Sequence, residues 1–305
     1  MDRNAILVVG SANMDMVVVA EKFPQPGETL FGRQFNMYPG GKGANQAVCA
    51  AKLGGETHFI GRMGNDLFRE RLVQNMASDG VVMDHLLIDE QEPTGIALIT
   101  VDGGGENEII VISGSNMKLS PADVESRLAL FNRVGVVLAQ LEIPLETVAR
   151  TAELAAAAGA CFILNPAPAC KLPVELLQRV DVLAPNRLEL ELLAGMSILD
   201  DIESIRCAAQ RLLDQGVGNL LVTLGDRGSL WVTPGEARLF AARRVQAVDT
   251  TAAGDAFNGA FAFALSRGET VPQAIHFANH VAAFSVTQMG AQSSMPTAAD
   301  IEEWV

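Results

Sequence analysis

Short runs of continuous apolar residues, closed by turn residues and in several places separated by helical patterns, constrain this chain more than any other feature. They fall at Ile6–Val9, Val136–Leu141, Cys161–Leu164, Val180–Ala184 and Leu220–Thr223. A strand that is apolar without alternation is buried on both faces, and helices between such strands make their neighbours parallel. The expected fold is α/β, a doubly wound, mostly parallel sheet whose ligands sit at the carboxyl ends of the strands. With 305 residues, 49% of them hydrophobic, the chain has enough apolar material for such a core. Helix ends are signalled locally: Ser120-Pro121-Ala122-Asp123 offers a cap, a first-turn proline and an early acid, and the alanine-rich Leu154–Ala158 closes at Gly159.

Two segments, 13–38 and 95–112, break the rhythm and read as strands and turns with no helix between them, the second turning at Gly103-Gly104-Gly105. They are expected to form a small β-sheet lid beside one α/β domain covering 1–305; a pair of ordinary edge hairpins is the alternative. With 36 acidic against 22 basic residues the formal charge is -14, which repels nucleic-acid phosphates and anionic lipid surfaces. No apolar run is long enough to span a membrane, and the start Met1-Asp2-Arg3-Asn4 lacks the pattern of a secretory signal. Cys49, Cys161, Cys170 and Cys207 form no Cys-x-x-Cys pair and are expected to be reduced and mostly buried, in keeping with a cytoplasmic location.

The strongest chemical signal is Val248-Asp249-Thr250-Thr251-Ala252-Ala253-Gly254-Asp255-Ala256-Phe257-Asn258-Gly259, a turn entering a helix. The small residues Ala252, Ala253 and Gly254 let an anion reach the unpaired first-turn N–H groups, where the helix dipole also favours negative charge. Asp255 reads in two ways. It suits the dipole as a helix-start acid, yet a carboxylate beside a phosphate cradle is unfavourable unless it accepts a proton from a nucleophilic hydroxyl.

A second loop, Pro39-Gly40-Gly41-Lys42-Gly43-Ala44-Asn45-Gln46-Ala47, also feeds a helix. It lacks the spacing of a phosphate-binding P-loop, and Gly10-Ser11-Ala12-Asn13 lacks the later glycines of a dinucleotide fingerprint. Asn13, Asp15 and Asn45 supply donors and acceptors of the kind that hold adjacent hydroxyls of a polyol. For Asp15 a turn residue, and for Glu142 an exposed strand-end acid, are the plainer alternatives. Likewise Asn186 and Glu189 in Pro185-Asn186-Arg187-Leu188-Glu189 fit a helix cap, and Thr223-Leu224-Gly225-Asp226-Arg227-Gly228-Ser229 fits a glycine hairpin.

Both glycine turns, in this order, resemble the two signatures of the ribokinase-like carbohydrate kinases, and the resemblance runs from Gly10 to Gly290-Ala291-Gln292-Ser293-Ser294. It implies transfer of the ATP γ-phosphate to the 5-hydroxyl of ribose or a close relative. Asp255 is then the catalytic base, with Ala252, Ala253 and Gly254 forming the anion turn, while Asn13, Asp15, Gly41, Lys42, Asn45 and Glu142 contact the sugar. By the same resemblance Asn186, Thr223, Gly225, Gly254 and Asn279 serve ATP, and Glu189 handles Mg2+ through water. Asp249, Thr251, Ser285, Gln288, Gly290 and Ser294 align with a monovalent-cation loop, K+ being expected, that uses mostly backbone carbonyls. The family often pairs its lids into a homodimer. A sister kinase for deoxyribose, another sugar or a nucleoside remains an alternative, as does a non-catalytic sugar sensor on the same fold.

Overall fold

The computed structural model describes residues 3–199 and 201–304. Its main sheet has nine strands in the order Ala237–Phe240, Ser229–Val232, Asn219–Thr223, Val182–Leu183, Cys161–Leu164, Val134–Ala139, Ala5–Val9, Thr57–Ile60 and Val81–Val82. From Asn219–Thr223 to Val81–Val82 every neighbouring pair is parallel, and the two strands at the other edge are antiparallel. Alternate residues of the central strands enter separate cores. Ile6, Val8, Val136, Leu138 and Ile163 face one, while Leu7, Val9, Val137, Ala139 and Phe162 face the other. Continuous apolar runs are thus explained by a period-two strand with hydrophobic material on both sides.

The helices Lys42–Lys52 and Ala253–Ser266 cover the first face through Ala44, Ala47, Val48, Phe257, Ala260 and Phe261. Leu145–Ala158 and Ile202–Leu213 cover the second through Val148, Ala152, Ile205 and Leu212. Gly159 ends Leu145–Ala158 in the left-handed conformation at φ 68°. Ser120 and Asp123 close a reciprocal capping box with Pro121 in the first turn, a device that contributes on the order of 1 kcal/mol.

Two strands differ from expectation. The run anticipated at Val136–Leu141 pairs over Val134–Ala139, because Leu141 already turns away to donate to the Ala167 carbonyl at 3.0 Å. Val180–Ala184 narrows to Val182–Leu183, although Asp181 and Ala184 still donate backbone bonds to the neighbouring strand. Of the four cysteines, all without disulfides, only Cys49 is buried; Cys161 is half-buried and Cys170 and Cys207 are exposed. Cys207 lies on the outward side of its helix because Ile205, Ala208, Ala209 and Leu212 occupy the inward one.

Segments 13–38 and 95–112 build a separate sheet rather than hairpins on the main edge. Its order is Gln34–Gly40, Asn13–Val19, Gly95–Val101 and Asn107–Ile112, with the central pair parallel. At the Gly103–Gly105 turn the Asp102 side chain accepts from the backbone N–H groups of Gly104 and Glu106.

The chain fills the sheet outward from Ala5–Val9, first to Thr57–Ile60 and Val81–Val82 and then, on the other side, from Val134–Ala139 to the far edge. Strand order therefore reverses between Ala5–Val9 and Val134–Ala139. The crevice at their carboxyl ends is where a doubly wound sheet takes its ligand.

Candidate active site

Both strands that flank the crevice deliver polar residues on leaving the sheet: Ser11, Asn13 and Asp15 after the first, and Gln140 and Glu142 after Val134–Ala139. The loop entering helix Lys42–Lys52 lies directly on them. Gly41 has φ +89°, and a Cβ there would stand 2.7 Å from Ala12 Cα; at Gly43 it would stand 2.6 Å from Ser11 N. Backbone contact this close excludes any side chain. A Cβ on Gly40 would meet Asp15 Oδ2 at 2.2 Å, so that carboxyl packs against bare backbone. Glu142 ties the pieces together, its Oε2 accepting from Lys42 N at 3.1 Å and from Ser11 Oγ. An acid at this first helical N–H also suits the dipole.

Asp255 approaches the same crevice from helix Ala253–Ser266 and is 6% exposed. Asn45 Nδ2 donates to its Oδ2 at 2.9 Å and Gln46 Nε2 to its Oδ1 at 2.8 Å. In the turn before it, Ala252 is the one non-glycine residue at positive φ among those described, at 58°. That conformation costs an L-residue about 1 kcal/mol or more and turns the chain into the helix, where the Ala253 N–H donates to the Thr250 carbonyl at 3.3 Å. Apart from its chain neighbours and the backbone of its own helix, no described protein atom lies within 4 Å of the position a Gly254 Cβ would take. Glycine there is not required by the protein's own packing, and the open space in front of the helix start suits an incoming anion.

Electrostatics groups these residues further. Burial, then the charges of Glu142 and Asp255, push the Asp15 carboxyl up to about 7. Lys42 is held above its ordinary value by Asp255 foremost, against the opposing effect of burial, with Glu142 and Glu189 adding to it. Burial raises Glu189, opposed by its Asn186 hydrogen bond and by Lys42. One ammonium therefore lies among carboxylates delivered by three separate parts of the chain.

Asn186 and Glu189 do form the reciprocal cap at the start of helix Arg187–Ala194, each accepting the other's backbone N–H at 2.8 Å. Asn186, but not Glu189, also lines a cavity of about 540 Å³, together with Leu188, Thr223, Gly225 and Arg227, among others. Thr223–Ser229 is a hairpin connection, with a short 3-10 turn between antiparallel strands. Asn279 does not line this cavity. It is buried, donating to Ser229 Oγ at 3.1 Å and the Phe240 carbonyl at 3.3 Å, and so props the strands that carry the hairpin.

Asp249 bridges two loops, accepting from Thr251 N at 2.9 Å and from Gly290 N at 2.8 Å. Although burial opposes it, hydrogen bonds from Thr251 and Gly290 hold its carboxyl below the usual range. Ser285 and Ser294 hydroxyls donate to the local carbonyls of Ala282 and Ala291, and the Gln288 amide reaches Thr287. The side chains of all three are engaged locally, which leaves this loop its backbone carbonyls and Asp249 for a cation.

Several polar residues at the site had no role in the sequence reading. Ser11, Gln46, Asn116, Gln140, Asn165 and Gln292 are all at most 7% exposed. Asn116 Oδ1 accepts from Ala12 N at 3.0 Å while its Nδ2 donates to Asn13 Oδ1 at 2.8 Å, which fixes Asn13 Oδ1 as an acceptor. Polar side chains inside otherwise apolar elements were the available signal; their partners are distant in sequence.

A doubly wound sheet whose switch-point crevice joins a polyol-suited set to an acid and an anion turn defines a small-molecule phosphotransferase. A family model for pfkB family carbohydrate kinases matches residues 3–298, and the chain belongs to that family. It is a carbohydrate kinase. Among its relatives a ribokinase of Haemophilus influenzae is 40% identical over 303 residues, covering 99% of both chains. A deoxyribokinase of Salmonella typhi is 38% identical over 301 residues, covering 98% of both. The solved structure of Arabidopsis thaliana ribokinase complexed with ribose and ATP superposes with a TM-score of 0.92 at 36% identity, covering 98% of this chain and 97% of that one.

Proposed function

We propose that this kinase transfers the γ-phosphate of ATP to the 5-hydroxyl of ribose, giving ribose 5-phosphate and ADP. The observation that carries the reading is the meeting of Asp15, Lys42, Glu142 and Asp255 at the switch-point crevice, with Asp255 opening the helix behind an anion turn. Asn13, Asp15, Gly41, Lys42, Asn45 and Glu142 hold the sugar. Asp255 takes the proton from the 5-hydroxyl as its oxygen bonds to the γ-phosphorus and the bond from that phosphorus to the β,γ-bridging oxygen breaks. The 252–255 turn stabilises the equatorial charge through its N–H groups. Asn186, Thr223, Gly225 and Gly254 take the nucleotide, while Asn279 acts on it indirectly by supporting the hairpin strands. The four-stranded sheet serves as a lid over the α/β domain and keeps water from the γ-phosphate.

The residues present fit two metal ions. Glu189 Oε2 is already engaged with Asn186 N, so Mg2+ would be held through water by these hard oxygens, as suits an ion that dehydrates reluctantly. The Asp249 bridge would hold K+ with the carbonyls of Thr251, Ser285, Gln288, Gly290 and Ser294. Bound, these ions would neutralise phosphate charge and offset charge behind the turn. A cytoplasmic location is proposed from the need for ATP; no helix is long and apolar enough to cross a membrane among the described residues.

The deoxyribokinase relative favours 2-deoxyribose as the second reading. ADP release over ribose, 2-deoxyribose, hexoses and nucleosides, each in potassium and in sodium, tests both the substrate and the cation. Ribose should have the highest kcat/KM, with faster turnover in potassium. Preference for deoxyribose, a hexose or a nucleoside would overturn the substrate reading, and equal rates in both salts would overturn the cation reading.

A further inference from the structure

Gln46 lies next to Asn45 on helix Lys42–Lys52 and is fully buried, at 0% exposure, so it offers no surface to substrate. Its hydrogen-bonding capacity is nonetheless directed at the base. One N–H of Nε2 donates to Asp255 Oδ1 at 2.8 Å and Nε2 also donates to Asn165 Oδ1 at 3.0 Å, while Oε1 accepts from Gln140 Nε2 at 2.6 Å. Asn165 Nδ2 in turn donates to the Ala184 carbonyl at 3.0 Å. A carboxylate and a backbone carbonyl only accept, so the amides between them have a single workable orientation. That orientation leaves Gln140 Oε1 buried without a partner, an unfavourable state that the rest of the network must outweigh.

We propose that Gln46 is a positioning residue for Asp255, fixing the plane of its carboxylate so that an oxygen stays aimed at the attacking hydroxyl. This rests on the reading of Asp255 as the base. Asn45 holds the other oxygen but is itself assigned to the sugar, whereas Gln46 has no second duty at the substrate. The two helices are also locked together. A Cβ at Gly259 would stand 2.6 Å from the Gln46 carbonyl oxygen and 2.7 Å from Cys49 Cβ, so the donor rides on a helix in direct backbone contact with the one that carries its acceptor. Gln46 is thus preorganised from both sides, through its amide partners and through its helix.

The test is kcat and KM for ribose and ATP in Gln46→Met and Gln46→Glu, alone and combined with Asp255→Asn. In Gln46→Met, kcat should fall about tenfold to a hundredfold with both KM values within about threefold of wild type. Gln46→Glu keeps the acceptor for Gln140 but sets a second carboxylate against Asp255, so the acidic limb of its kcat–pH profile should move upward. Added to Asp255→Asn, neither change should lower kcat further. Wild-type kcat in folded Gln46→Met, loss confined to KM, or losses that multiply with Asp255→Asn would each overturn the proposal. If the Met variant fails to fold, an unshifted profile in the Glu variant overturns it. Full kcat in Asp255→Asn alone would overturn the reading of the base itself, and this inference with it.

Discussion

Asp15 stands on the first strand of the four-stranded sheet, its carboxyl against the Gly40 backbone and within the field of Glu142 and Asp255. Burial and those two charges raise it from 3.8 to about 7, so the folded protein holds a proton there that the unfolded chain has already released. Its contribution to stability is therefore greatest below pH 4 and declines as pH rises toward 7, above which the whole burial penalty of the anion is present. Asp15→Asn should stabilise the unliganded protein by on the order of 1–2 kcal/mol at pH 8 and by much less at pH 4, while weakening sugar binding. Thermal unfolding of both proteins at the two pH values checks this. A larger gain at pH 4 than at pH 8 would contradict it.

At the scale of elements, the strand Asn107–Ile112 is the edge of the small sheet, and all six of its residues are exposed, Ile109, Ile110, Val111 and Ile112 among them. An uncovered apolar edge is a template for pairing, and the expected homodimer would pair its copies along it. Ile110→Lys should convert a dimer to a monomer in sedimentation velocity; a native sheet that sediments as a monomer before the change would refute that pairing. Elements of this kind were legible in the sequence because their cause is local. Continuous apolar runs gave the parallel strands, Gly159 and Ser120 gave helix ends, and the absence of a helical pattern marked the small sheet. The strand Val182–Leu183 was less so, since its length depends on where neighbouring strands offer partners. Gly41 was legible as a turn, but its closeness to Ala12 was not, because that depends on two distant loops meeting. Asn45 and Asp255 stood out by their motifs, yet the amide network behind Asp255 runs from Gln46 to Gln140 and Asn165, which together share no local pattern.

For the whole molecule, the sheet's reversal between Ala5–Val9 and Val134–Ala139 decides where chemistry can occur, and both glycine turns are delivered to it from opposite ends of the chain. The residues proposed to hold the sugar arrive with the strand Asn13–Val19 and the helix Lys42–Lys52, and the proposed base with a helix more than two hundred residues later, with Lys42 among their charges. The central claim is that this meeting point is a phosphotransfer site with Asp255 as its base. It is tested most directly by kcat for ribose in Asp255→Asn, with ATP binding measured on the same protein. The account predicts a loss of about 10²- to 10⁴-fold in kcat with ATP affinity retained. A folded Asp255→Asn protein that phosphorylates ribose at the wild-type rate would contradict it.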